Sequence, residues 1–164
     1  MILFRKFVSA SFILFMGIIP FNTFCQDYSS AIGIRVGSTA GISIKHFVNK
    51  TMSFEGQLES IWRGVNISGL VEFHTPAFDI ANFKFYGGFG GHFGSWRGYG
   101  NHPWFYEDRD YHSVVGVDGI LGFEYTFDDI PLNIGLDWKP GFNIAEDAGP
   151  WIDNIGLSIR FAIK

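Results

Sequence analysis

The chain has 164 residues, of which 47% are hydrophobic, 18% aromatic and only 17% charged, with a formal net charge of -4. Such an apolar composition excludes a disordered chain, and 12 Lys plus Arg against 16 Asp plus Glu exclude a basic nucleic-acid binder. The 19 Phe and 21 Gly, set among so few charges, point to β-structure in an apolar setting within a single domain.

At the N-terminus, Arg5 and Lys6 precede an apolar run from Phe7 to Ile19, which Pro20 breaks. Thr23 and Cys25 then place small residues where a signal peptidase inspects the chain, so residues 1–25 read as a signal peptide cleaved after Cys25. The run is shorter than the about 20 residues that a spanning helix needs. A lipid anchor on Cys25 is the alternative, but the bulky Phe24 stands where a lipobox has a small residue. Cleavage leaves residues 26–164 as the mature domain, without any cysteine, since Cys25 is the only one. Disulfides and thiol catalysis are thereby excluded, and a thiol-free exported chain suits a periplasm or an outer membrane.

No helical stripe of any length follows. A two-residue alternation instead recurs in eight segments, at 31–37, 41–48, 52–62, 65–74, 83–94, 114–127, 132–142 and 155–163. In 132–142, Leu132, Ile134, Leu136, Trp138 and Phe142 share one face, while Asn133, Gly135, Asp137 and Lys139 share the other. Connections at 49–51, 75–82 and 128–131 fall on one side of the array. Those at 38–40, 63–64, 95–113 and 143–154 fall on the other, which takes the longest one. Eight strands of about 9 to 11 residues each use most of the mature chain, so a ten-stranded barrel would leave almost no loops.

Alternation alone also suits a soluble sandwich, and the composition of the two faces decides between them. Parity collects Arg35, Lys45, Arg63, Lys84, Lys139 and Arg160 on the polar face, with Glu55, Glu59, Glu72, Asp118, Glu124 and Asp137. Six charges of each sign are what an enclosed space requires, because an uncompensated buried charge costs several kcal/mol. Gly33, Gly88, Gly90, Gly116, Gly122, Gly135 and Gly156 on that face give long side chains room. On the oily face, aromatic residues gather at strand ends: Phe47, Phe54, Phe73, Phe83, Phe85, Tyr125, Phe127 and Phe161 toward one rim, Trp62, Phe93 and Trp138 toward the other. Two aromatic girdles around an aliphatic belt are the outward surface of a transmembrane β-barrel. The sequence therefore predicts an all-β fold, an eight-stranded antiparallel up-and-down transmembrane barrel.

The segments Tyr86-Gly87-Gly88-Phe89-Gly90-Gly91-His92, Gly116 to Tyr125 and Ile130 to Pro140 carry a resemblance. Through them the mature chain resembles the small eight-stranded outer-membrane barrels of the OmpA and OmpX kind, and more narrowly the short barrel proteins common in Bacteroidetes. It departs from the usual outer-membrane pattern in ending on Lys164 where an aromatic residue is common, with Phe161 three positions earlier. The resemblance implies residence in the outer membrane of a Gram-negative bacterium, with lipid and lipopolysaccharide as surroundings. It points to a structural or adhesive role, as a monomer.

Other features invite sharper readings. Gly87 to Gly91 lacks the Lys-Ser/Thr pair of a phosphate loop and opens no helix. His102 and His112, with Glu107, Asp108 and Asp110 between them, offer ligands to a divalent cation, but a solvated acidic loop accounts for the same residues. Asn49-Lys50-Thr51 and Asn66-Ile67-Ser68 match the glycosylation acceptor pattern. Eight-stranded barrels that act on lipid A, as acyl hydrolases or acyltransferases, need a Ser, a His and an acid within reach of each other; the candidates are His92, Ser95, Ser113 and His112, with Asp118. No signature motif frames any of these serines. A channel is opposed by the narrow, charge-filled interior, and a lipocalin-like carrier by the absence of an apolar one. No residue is assigned a catalytic, cofactor-binding or metal-binding role, and no cofactor is expected. The outer connection 95–113, with Tyr99, Trp104, Phe105, Tyr106 and Tyr111, is the surface expected to meet an extracellular partner.

Overall fold

The computed structural model describes residues 28–61, 64–97, 111–145 and 149–163. Ten strands run through them: β1 (Ser30–Gly37), β2 (Ala40–Phe47), β3 (Met52–Ile61), β4 (Gly64–Pro76), β5 (Phe83–Arg97), β6 (Tyr111–Thr126), β7 (Leu132–Trp138), β8 (Gly141–Ala145), β9 (Gly149–Trp151) and β10 (Ile155–Ile163). Every pairing is antiparallel. Strands β1 to β6 join their neighbours in sequence, β6 joins β7, β7 joins β10, and β10 returns to β1, so the wall closes as an eight-stranded barrel. Among the described residues no helix is long and apolar enough to cross a membrane, and the strands are the regular structure.

Ten strands make eight staves because β7 and β8 form one of them and β9 lies outside the closed wall, paired with β8 alone. Pro140 has no N–H to give to a ladder and interrupts the strand. The register nevertheless carries across it: Trp138 faces Leu121, Gly141 faces Asp118, and the Gly119 N–H donates to the Pro140 carbonyl at 2.8 Å. The predicted segment 132–142 is thus two strands of one stave. Its extension β8 is covered by β9, which folds back as a three-residue edge strand within the predicted loop 143–154. The staves β5 and β6 also run past their predicted limits, to Arg97 and from Tyr111, and narrow the predicted loop 95–113 from both ends.

Turn chemistry fixes the lower rim, where β1 begins and β10 ends. The Asn49 Oδ1 accepts from the backbone N–H groups of Thr51 and Met52, both at 2.9 Å, an Asx turn that reverses β2 into β3. Between β4 and β5, residues Phe78, Asp79 and Asn82 all adopt positive φ, and Ile80 N–H donates to the Ala77 carbonyl at 3.3 Å. On the opposite, upper rim the β1–β2 connection is only Ser38 and Thr39.

The polarity of the barrel is inverted relative to a globular core. Alternate residues of every stave point inward and are buried, and these are mostly polar or charged; the exposed outward set is Ile, Val, Leu and Phe. Among the described residues, buried apolar side chains cluster in two small groups, Tyr28 with Ala31, Phe47 and Ala162 at the lower rim, and Leu70 with Tyr86 and Ile120 above it. Phe47 departs from the sequence expectation, which placed it on the outward face. Parity within β2 puts it on the same side as Ser43 and Lys45, and its ring meets Tyr28 edge-on with centroids 5.0 Å apart.

Candidate functional site in the barrel lumen

Of the twelve charged residues that parity gathers on the polar face, the structure places eleven inside the barrel and buried: Arg35, Lys45, Glu55, Glu59, Glu72, Lys84, Asp118, Glu124, Asp137, Lys139 and Arg160. Arg63 and Trp62 lie outside the described residues. Phe93 and Trp138 stand on the outer surface toward the upper rim, where the Trp138 Nε1–H donates to the Ile152 carbonyl at 2.7 Å. Phe161 projects outward near the lower rim, and Tyr125 meets Phe127 edge-on there, centroids 4.9 Å apart.

The lower half of the lumen is organised around Lys45. Its Nζ reaches Glu72 at 2.8 Å, Glu55 at 3.1 Å and Glu124 at 3.2 Å, bringing together β2, β3, β4 and β6. Arg160 from β10 supplies the second cation, with Nη2 donating to both Glu55 oxygens at 2.8 and 3.0 Å and Nε to the Ser43 Oγ at 2.8 Å. His74 sits between two of the carboxylates, Nε2 3.3 Å from Glu72 and Nδ1 3.2 Å from Glu124. Tyr28 closes this cluster from below by donating to Glu124 at 3.2 Å.

The upper half centres on Arg35 of β1. Nη2 meets Asp137 at 2.6 Å and Nη1 meets Glu59 at 2.7 Å, while Nη1 also donates to Asn154 at 3.0 Å. Lys139 binds the other Glu59 oxygen at 2.6 Å and donates to Gln57 at 2.7 Å and Ser68 at 3.1 Å. Tyr86 links the halves. Its hydroxyl donates to Asp137 at 3.2 Å, its ring stacks on His74 with centroids 5.2 Å apart, and the Lys45 Nζ lies 4.2 Å from its centroid. Eight strands enclose a space only wide enough for side chains, and this one is crossed by ion pairs from wall to wall. Buried pairs of this kind are costly to break one partner at a time.

His92 faces the lumen. Its Nδ1 pairs with Asp118 at 2.8 Å and its Nε2 with Asn143 at 2.9 Å, which engages both ring nitrogens. Ser95 and Ser113 have the opposite parity and lie on the outward side of their strands, and the His112 side chain lies outside those described. A different pair faces outward at the lower rim: Ser30 Oγ lies 2.8 Å from His46 Nδ1, the two residues standing directly opposite in the β1–β2 ladder. Among the described residues no carboxylate completes that pair. The candidate cation ligands His102, Glu107, Asp108 and Asp110 lie outside the described residues. Of the two glycosylation patterns, Asn66 is buried in the lumen and Asn49 caps its turn.

Two lumen glycines show what the packing demands. A Cβ on Gly122 would stand 2.6 Å from the Tyr86 ring, and one on Gly156 would meet the Arg35 guanidinium. Gly33, Gly88 and Gly90 differ from the expectation that they make room for long side chains: the backbone of a neighbouring strand closes over each. Arg35 is held by Glu59, Asp137 and Asn154 and has little freedom to yield. Gly156→Ala is therefore expected to destabilise the barrel by about 1 to 3 kcal/mol, as overpacking does, read as a lower urea midpoint; an unchanged midpoint would show that Arg35 is not locked.

Reading charges alone misses the neutral members of the network, Tyr28, Ser43, Ser53, Gln57, His74, Tyr86 and Asn133. All but Tyr28 share the inward parity of a charged residue two, or a multiple of two, positions away, a signal that the sequence does carry. Comparison with protein-family models finds no match, and neither does comparison with curated proteins.

Proposed function

We propose that this chain is an integral outer-membrane β-barrel protein of a Gram-negative bacterium, of the OmpA and OmpX kind and the short Bacteroidetes type. Its lumen is closed by ion pairs, and its role is structural or one of surface contact. One observation carries the reading: charged side chains line the inside, and an unbroken apolar surface faces out. Ile34, Ile44, Ile67 and Leu136 are each more than half exposed, and most of the other outward aliphatic positions around the wall are 40 to 50% exposed. Soluble monomers rarely expose contiguous apolar patches beyond a few hundred Å². A closed barrel is the one β-structure that satisfies every backbone group in lipid. Below this belt the aromatic residues Tyr125, Phe127 and Phe161 occupy the depth of an interfacial girdle, with Phe93 and Trp138 above it.

The test joins location to conductance. Mature protein beginning at Gln26 is expected in the outer-membrane fraction, and the refolded protein in a planar bilayer is expected to conduct poorly because side chains span the lumen. Recovery of residue 1 in a cytoplasmic fraction overturns the location, and a large steady conductance overturns the closed lumen in favour of a channel.

A further inference from the structure

We infer that the β4–β5 turn, residues 77–82, is a lipid-binding element that inserts Phe78 into the headgroup region at the lower rim and fixes the depth of the barrel there. This rests on the membrane reading above and adds a residue that strand parity does not supply, since Phe78 belongs to no strand.

The turn is built at odds with its own sequence. Phe78 has φ 57° and Asp79 φ 53°, the left-handed pair that a tight hairpin turn reserves for Asn and Gly. A phenylalanine there is sterically strained, because its Cβ crowds the following carbonyl. Such strain persists only where the surroundings hold it, and it marks positions where the side chain has a use. The strain directs the Phe78 ring sideways onto the outer wall. It lies 6.0 Å from the Phe83 centroid and 6.3 Å from that of Phe123, near-parallel to the latter. Phe83 stacks on Phe123 at 5.7 Å, and Phe85 meets Phe123 edge-on at 5.3 Å.

The four rings form one patch continuous with the apolar belt. Its most peripheral member is also the most exposed, Phe78 at 75%, with Ile80 beside it at 53%. The described residues leave most of Phe78 and about half of Ile80 uncovered. The other two connections on this side of the barrel carry no aromatic ring: 49–51 exposes Lys50, and 128–131 exposes Asp128 and Asp129 beside Ile130, charges that suit water. A turn that spends backbone strain to lay an aromatic ring against a lipid-facing wall, at the level where the belt ends, fits the amphipathic zone between acyl chains and headgroups, where aromatic rings concentrate. A second copy of the chain is a weaker occupant, because Asp79, exposed next to Phe78, would be stripped of water in such a contact.

Spin labelling in phosphatidylcholine–phosphatidylglycerol vesicles tests this, using full-length chain with Cys25→Ser so that each introduced cysteine is the only thiol. One reporter is Ile80→Cys in the turn and the other Leu136→Cys in the belt. The Ile80 label is expected to be shielded from a water-soluble nickel relaxant, and to lose that protection when Phe78→Glu is added, while the Leu136 label stays shielded in both. Phe78→Gly, which removes the ring and relieves the strain, is expected to give the same loss without lowering folded yield. If the Ile80 label is as accessible as free label in water, or does not respond to either substitution, while the Leu136 label is shielded, the inference is overturned and the membrane reading stands. If the Leu136 label is itself exposed to the relaxant, both fall. Dipolar broadening between Ile80 labels of two copies would assign the patch to self-association and overturn the lipid assignment.

Discussion

Replacing Arg160 with alanine is expected to cost the folded barrel about 3 to 5 kcal/mol, and less if water enters the space it leaves. Arg160 is fully buried, and its guanidinium reaches both Glu55 oxygens as well as the Ser43 hydroxyl. Glu55 would keep the neutral donors Ser43 and Gln57 but only Lys45 as a cation, and that ammonium is already shared with Glu72 and Glu124. The variant therefore leaves three buried carboxylates around one buried cation, and the penalty is the solvation that the surplus charge has lost. Removing both partners together, as Arg160→Met with Glu55→Met, takes away the surplus and should recover most of the loss, because an apolar pair of similar volume leaves no stranded charge. Urea titration of protein refolded into vesicles measures both variants against the wild type. A single-variant loss below about 1 kcal/mol, the range of exposed pairs, would mean that solvent reaches the cluster and the lumen is not closed.

How much of this was legible follows from the period of a strand. Successive side chains alternate between faces, so one correctly oriented residue orients its whole stave. Lys45, Glu55, Glu124 and Arg160 could be placed inside without any knowledge of register. Which of them would meet could not. Lys45 on β2 touches Glu124 on β6, and Arg35 on β1 touches Asp137 on β7; such contacts across the lumen depend on strand tilt and stagger. Phe47 shows two signals in conflict. Aromatic character near a strand end suggests a girdle, but its parity matches that of Lys45, and within a regular strand parity wins. Pro140 announces an interruption, yet the sequence does not say that the ladder resumes in step beyond it. The strand β9, three residues with a proline at the edge, carries no alternation to detect.

Leu136→Arg is expected to destabilise the barrel in a bilayer by about 2 to 4 kcal/mol, the cost of a basic side chain near the midplane on a lipid-facing position. Leu136 is 54% exposed on the outer wall, directly opposite Phe123 on β6 and Leu157 on β10. No acidic residue neighbours it on either ladder. The same substitution separates a membrane barrel from a water-soluble one with an oily exterior. In water the guanidinium would stay hydrated, and a surface change of this kind alters stability by no more than about 0.5 kcal/mol. Lipid offers no such hydration at that depth, and the side chain can reach an interface only by bending the full length of its stem along the wall. Leu157→Arg, one stave away, should behave alike, whereas Asp129→Arg in the exposed lower turn should leave the urea midpoint unchanged. Equal midpoints for Leu136→Arg and Asp129→Arg in vesicles would mean that the outward face meets water, and that the inward charges are enclosed for a reason other than a surrounding membrane.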